Sequence, residues 1–171
     1  MPAFHFQVEG VAPIAHALTP TLGLRLRVEN VSPEPVHSML LRCQVHIEPA
    51  SRSYSMSEDK ALQAVLAEPA GWGRTLRPFL WQQATLVIGW FTGVTVSEFL
   101  LSCAHGVAMA ASQYCEALES GDIPLRLLFS GTALCQGERG VEVAPVPWDL
   151  EASYRMPAKV WRDCIALHDP D

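Results

Sequence analysis

The chain has 171 residues, of which 49% are hydrophobic and 18% are charged, which predicts a single globular domain over residues 1–171. Its net charge of −6 argues against a nucleic-acid surface, because phosphate binding requires a clustered excess of Lys and Arg. Five cysteines at spacings that match no disulfide framework indicate a reducing compartment, and we expect the protein in the cytoplasm. The first ten residues do not resemble a secretory signal, and the apolar runs are too short for membrane insertion.

Alternating apolar and polar residues predict three strands near the start of the chain, over residues 4–8, 22–28 and 41–47. Turns rich in proline separate them. Each strand has one apolar and one polar face, which is typical of a mainly antiparallel sheet with one side in water.

The period of the pattern then changes from two residues to the spacing of a helix. Ser55 and Glu58 have the spacing of a capping box, in which each side chain accepts a hydrogen bond from the backbone N–H of the other residue. Apolar residues follow on one helical face until Pro69 interrupts them. We predict a helix over residues 56–67.

The rest of the chain predicts five more strands, over residues 84–90, 95–102, 125–135, 141–143 and 152–156. The run 125–135 is almost continuously apolar, so it is predicted to be a central strand buried on both faces. Two further helices are expected, one over residues 107–119 with Gly121 at its C-cap and one beginning after Pro157. The predicted fold is mainly β, an antiparallel β-sandwich or bent sheet of about seven to eight strands with two or three peripheral helices.

The segment 72–81, W-G-R-T-L-R-P-F-L-W, is the richest in aromatic and arginine side chains. Such residues dominate the energetics of protein contacts, so Trp72, Arg74, Arg77 and Trp81 are predicted to bind a partner protein. A structural interpretation stays open beside this one, in which the segment is a buried plug between the helix 56–67 and the sheet.

Four arginines are predicted to project from the polar faces of strands, and they are Arg25, Arg27, Arg42 and Arg126. If these strands are neighbours, the side chains line one patch that binds a partner. We favour the alternative that they pair with nearby glutamates, which are Glu9, Glu29 and Glu48.

Metal and cofactor sites are not indicated. Cys43 and His46 have a ligand-like spacing, but an odd and an even position on a strand point to opposite faces. Cys103 and His105 share a face if their strand continues, yet two ligands without a second pair do not predict zinc. We expect no cofactor.

Four runs carry a resemblance to a known family: L-L-R-C-Q-V-H-I-E-P at 40–49, the segment 72–81, I-P-L-R-L-L-F-S-G-T at 123–132, and V-P-W-D-L-E-A-S-Y-R-M-P-A-K-V-W at 146–161. They resemble an uncharacterised bacterial family that is commonly encoded near uptake nickel-iron hydrogenase genes. The resemblance implies a bacterial cytoplasmic accessory role in assembling or supporting a redox complex. It assigns no role to any single residue.

Three functions stay open at this point. The preferred one is a non-catalytic interaction module that docks on another protein, such as a hydrogenase-related complex, through the surface around residues 72–81, with Trp90 and Trp148 as its continuation. The second is a chaperone-like binder of extended peptides. The third is a small enzyme that uses Cys115, Ser130 or His105 in a pocket. The sequence also leaves homo-oligomerisation open.

Overall fold

The computed structural model describes residues 3–66 and 77–168, and this part of the chain forms eight strands and three α-helices. The strands are β1 Phe4–Pro13, β2 Thr21–Asn30, β3 Val36–Ile47, β4 Phe79–Ile88, β5 Val94–Ser102, β6 Asp122–Gly137, β7 Gly140–Val146 and β8 Glu151–Pro157. The helices are α1 Met56–Leu66, α2 Met109–Ala117 and α3 Ala158–Leu167. The prediction of a mainly β fold with peripheral helices is confirmed.

The strands form two antiparallel sheets. The smaller sheet has the order β1-β2-β5, and its ladder pairs Phe6 with Val28 and Arg25 with Glu98. The larger sheet has the order β4-β3-β6-β7, and β8 also pairs with β6. Because side chains alternate along each strand, one face of each sheet is apolar and buried while the other meets solvent.

The two apolar faces pack against each other and make the core of a sandwich. Phe6 of the smaller sheet stacks on Phe129 of the larger one, with ring centroids 4.2 Å apart. At one edge the sheets are also joined by polar contacts, because the Gln82 amide donates to the carbonyl of Leu100 and accepts the N–H of Ser102. These bonds satisfy backbone groups of β5 that β2 does not reach.

The helices lie at one end of the sandwich, where β3 ends and β6 begins. The predicted capping box is present, since Ser55 Oγ accepts the N–H of Glu58 and Glu58 Oε1 accepts the N–H of Ser55. α1 packs against α2. Just before α1, the hydroxyl of Tyr54 lies 2.7 Å from that of Tyr114 in α2. Pro69, the predicted end of the first helix, lies outside the described residues.

Three details of the predicted elements are wrong. The strand predicted over residues 84–90 spans Phe79–Ile88. Phe79, Leu80 and Trp81 already alternate between inward and outward positions, but all three are apolar, so the sequence pattern does not show it. The second helix ends at Ala117, so Gly121 is not its C-cap and lies instead in the turn before β6 with φ +79°. The run 125–135 is not buried on both faces, since Thr132 and Leu134 are exposed on the outer face of the larger sheet, which no second layer of the described residues covers.

Candidate functional site

The structure places the described residues of the segment 72–81 in separate environments. Trp72 and Arg74 lie outside the described residues. Arg77 is exposed immediately before β4. Trp81 is buried inside β4, where its indole N–H donates to the carbonyl of Ser102 at 2.9 Å and its ring packs edge-on against Trp161. Trp81 is therefore buried, as the structural interpretation expected, but these contacts tie β4 to β5 and α3 and not to the helix 56–67.

The four arginines do not line one patch, because β2 belongs to the smaller sheet and β3 and β6 belong to the larger one. Three of them lie beside a glutamate, and the pairs are Arg25–Glu9 at 3.9 Å, Arg27–Glu29 at 2.7 Å and Arg126–Glu48 at 2.7 Å. Arg42 differs from the others. Within the described residues its side chain has no ion pair and no hydrogen bond, although it is exposed on the outer face of the larger sheet.

Arg42 lies in a surface groove whose origin is the path of β6. This strand pairs with β8 over Asp122–Leu128 and with β7 over Gly131–Gly137, so it exchanges one neighbour for another near Ser130. The loop that joins β7 to β8 crosses this point and carries Trp148. We call the resulting depression the Trp148 groove; it is lined by Leu40, Arg42, Thr85, residues 130–132 and residues 145–148.

Gly131 makes the groove possible. Its φ of +149° is one that side-chain-bearing residues rarely adopt, and a Cβ placed there would lie 2.0 Å from the carbonyl oxygen of Leu40. β6 therefore approaches β3 more closely here than any other residue would allow. Backbone conformations of this kind are concentrated at binding and catalytic sites, where the surrounding structure maintains them.

The groove combines apolar walls with a polar floor. It has a volume of about 420 Å³ and is open to solvent. Trp148 is 82% exposed at its mouth. Among the described residues, Arg42 is the only charged one that lines it. The hydroxyl-bearing residues Thr85, Ser130 and Thr132 line it from β4 and β6, the strands on either side of β3.

Apolar side chains extend the groove across the outer face of the larger sheet. Val87 lies opposite Leu40 in the ladder, and Val143 lies opposite Leu134. Val87 and Val143 are 76% and 69% exposed, values far above those of side chains in the core. Exposed apolar surfaces of this kind are typical of interaction sites.

The cysteines are placed for packing. All five are buried free thiols, and burial raises the pKa of each, for Cys43 to about 12. Cys103 is buried while His105 is exposed in the turn after β5, so the two do not share a face. In residues 3–66 and 77–168 no group of three or more His, Cys, Asp or Glu side chains is arranged to hold a metal ion.

The candidate catalytic residues are not brought together. Ser130 lines the Trp148 groove, and Cys115 lines a different cavity between α2 and α3. His105 lines neither of these cavities. Among residues 3–66 and 77–168, no group able to act as a general base lines the groove beside Ser130.

Comparison with known proteins decides the family. A family model described as a family of unknown function, DUF6084, matches residues 1–171. The chain belongs to this family. No curated protein sequence matches the chain significantly.

Solved structures resemble this DUF6084 protein only distantly. The CARDB domain of the PF1109 protein from Pyrococcus furiosus is 12% identical, with 91% of this chain and 92% of that chain covered and a TM-score of 0.33. β-Glucosidase 3B from Thermotoga neapolitana is 11% identical, with a TM-score of 0.35, and the match covers 90% of this chain but only 17% of the glucosidase. Likenesses at this level carry no functional argument.

No helix in the described residues is long and apolar enough to cross a membrane. The sequence had indicated Trp148 only as a continuation of the surface around residues 72–81, and it had not indicated the groove. The contribution of Arg42, Thr85 and Ser130 to one groove depends on strand register, which the sequence does not show.

Proposed function

We propose that the protein is a non-catalytic interaction protein that binds another protein through the outer face of the larger sheet, centred on the Trp148 groove. The observation that carries this proposal is the exposure of Trp148 at 82% beside the exposed Leu40 and Val87. Burial of about 150 Å² of indole surface in a complex contributes about 4 kcal/mol before the costs of association. Tryptophan and arginine are also the residues that most often dominate the energy of an interface.

The groove replaces the segment 72–81 as the centre of the proposed surface. Trp81 is buried in the core and its indole N–H is hydrogen-bonded, so its side chain does not contact a partner. The groove and the outer face around it supply a loop tryptophan, an arginine that no described residue pairs with, and several apolar side chains on strands. Such an arrangement loses little conformational entropy on binding, because the strands already hold the side chains in place.

The finer proposal concerns the biological setting. The resemblance of the sequence to proteins encoded near uptake nickel-iron hydrogenase genes supports a bacterial, cytoplasmic accessory role, with a subunit or assembly factor of a redox complex as partner. The five buried thiols support a reducing compartment. We propose no enzymatic function, since Ser130 has no general base beside it in the groove.

Affinity capture from the native host tests this function. The tagged protein is compared with Trp148→Ala and with Arg25→Ala, which removes an exposed arginine from the outer face of the opposite sheet. We expect one defined partner to be recovered with the unchanged protein and with Arg25→Ala, and at least tenfold less of it with Trp148→Ala. Equal recovery with all three proteins, each shown to be folded by circular dichroism, contradicts the proposal.

A further inference from the structure

We propose that the Trp148 groove binds an extended acidic segment of a partner protein, with a carboxylate side chain of that segment on Arg42 and an apolar neighbour against Trp148. This inference rests on the proposed function and names the chemistry of what the groove recognises.

The groove is positively charged on a protein whose net charge is −6. In the part of the chain that the structure describes, no carboxylate lines the groove and Arg42 is its only charged residue. Three other arginines on the sheet faces have glutamates beside them, whereas within the described residues Arg42 has none. A guanidinium without a counterion, among apolar walls and hydroxyl groups, favours an anionic ligand.

The geometry of a single guanidinium determines which kind of anion fits the groove. A guanidinium presents a planar fork that matches the two oxygens of a carboxylate, so one arginine suffices for one carboxylate. Phosphorylated peptides are usually held by clusters of arginines, and the groove has a single cation. Thr85 and Ser130 are the direct neighbours of Arg42 on either side and supply further hydroxyl groups for the ligand.

Two depressions beside Trp148 indicate the shape of the ligand. Trp148 and Ser130 also line a second depression of about 210 Å³, whose other walls include Gln44 and Leu128. Arg42 and Gln44 are two residues apart on one strand and therefore about 7 Å apart on one face. Alternate side chains of an extended peptide have the same spacing, so two of them fit the two depressions on either side of Trp148.

The apolar walls of the groove determine which side chain of the peptide is favoured near its carboxylate. Leu40, Pro145 and Pro147 line the groove together with the indole of Trp148, and none of them offers a side-chain donor or acceptor other than the indole N–H. An apolar side chain next to the carboxylate buries surface against them, whereas a second charge is desolvated without a partner. We therefore expect an acidic residue with an apolar residue two positions away.

Arrays of capped heptapeptides test the inference directly. Each pool fixes the central residue as Glu, Gln, Lys or phosphoserine and randomises the other six, and both ends are blocked so that no terminal carboxylate contributes. The purified protein, Arg42→Gln, Trp148→Ala and the control Arg25→Gln are compared on the same arrays, with circular dichroism and urea unfolding showing that each is folded.

We expect the Glu pool to retain at least fivefold more protein than the Gln pool. Arg42→Gln should remove this preference, Trp148→Ala should weaken retention on the Glu pool at least fivefold, and Arg25→Gln should change neither. Equal retention on the Glu and Gln pools, a higher retention on the phosphoserine or Lys pool, or a Glu preference that survives Arg42→Gln overturns the inference. Such results leave the proposed function standing if Trp148→Ala still loses the partner in the capture experiment, so the two failures are distinguishable.

Discussion

Arg42 of β3 lies directly opposite Ser130 of β6 in the antiparallel ladder, at the place where β6 passes from β8 to β7. This relationship explains why the groove is where it is. A strand that keeps the same neighbours along its whole length has a continuous outer face, whereas the exchange near Ser130 leaves room for the loop that carries Trp148. The proposed binding surface is thus a product of sheet topology.

The close approach of β6 to β3 predicts the effect of a single added methyl group. Gly131→Ala is expected to destabilise the protein by about 2–4 kcal/mol, because the new Cβ meets the Leu40 carbonyl and the backbone keeps a positive φ. Urea unfolding followed by circular dichroism measures the change. Gly10→Ala is the matched control, since a Cβ there meets no atom within 4 Å. A similar loss of stability in both variants would contradict the expected clash between a side chain at position 131 and the Leu40 carbonyl.

Trp81 and Trp148 should differ in how much they contribute to the stability of the fold. Trp81→Ala is expected to cost about 3–5 kcal/mol of stability, because it removes a buried ring that packs on Trp161 and donates to Ser102. Trp148→Ala is expected to change stability by less than about 0.5 kcal/mol, because the ring is mostly in solvent. Thermal and urea unfolding of both variants check this, and a large destabilisation by Trp148→Ala would mean that the ring has a structural role.

Glu58 predicts a dependence of stability on pH. Its carboxylate is buried, and burial alone would raise the pKa, but hydrogen bonds from the N–H groups of Ser55 and Glu119 and the charge of Arg52 lower it below the ordinary glutamate value. Protonation is therefore less favourable in the folded chain than in the unfolded one. The stability that Glu58 contributes is present above the unfolded pKa of about 4.3 and is lost as the pH falls through the lower folded pKa.

Glu58→Gln tests this account. We expect a loss of about 3 kcal/mol at pH 7, because Arg52 is left buried without its partner. The variant should also lose less stability than the unchanged protein when urea unfolding is repeated from pH 6 to pH 3. Glu9→Gln, at a carboxylate 36% exposed and 3.9 Å from Arg25, serves as the control and should keep the full pH dependence. An identical pH profile for Glu58→Gln and the unchanged protein would contradict the assignment.

The thiols give a chemical prediction. Since all five cysteines are buried and burial raises the pKa of each, little thiolate is present at pH 8. The native protein should react with an aromatic disulfide reagent at least 100 times more slowly than the protein unfolded in urea, which should titrate five thiols. Rapid reaction of one thiol in the native protein would point to an accessible cysteine and would revive a catalytic or redox role for it.

Much of the fold was predictable from local patterns. Apolar alternation identified β1, β2 and β3, and the spacing of Ser55 and Glu58 identified the start of α1. These features depend on residues close in the sequence, so the sequence carries them directly. The same alternation shows which face of a strand is polar but not which strands are neighbours. For that reason the alternation could not show that Arg25 and Arg27 lie on a different sheet from Arg42.

The candidate site was less predictable. Composition drew attention to the segment 72–81, where aromatic and arginine residues are dense, but density does not distinguish a buried tryptophan from an exposed one. Trp81 is buried because it occupies an inward position of β4, while Trp148 is exposed because it lies in a loop over the outer face. The close approach of β6 to β3 at Gly131 involves Leu40, more than 80 residues earlier, so no local pattern indicated it.

The most direct test of the central claim is site-specific photo-crosslinking in the native host. A photoreactive amino acid is placed at position 87, beside the groove on the larger sheet, or at position 96, on the outer face of the smaller sheet; Val87 and Val96 are 76% and 42% exposed. We predict that one partner protein is crosslinked from position 87 and not from position 96, and that Trp148→Ala abolishes the product. Equal crosslinking from both positions, or a product at position 87 that is indifferent to Trp148→Ala, would contradict the proposal.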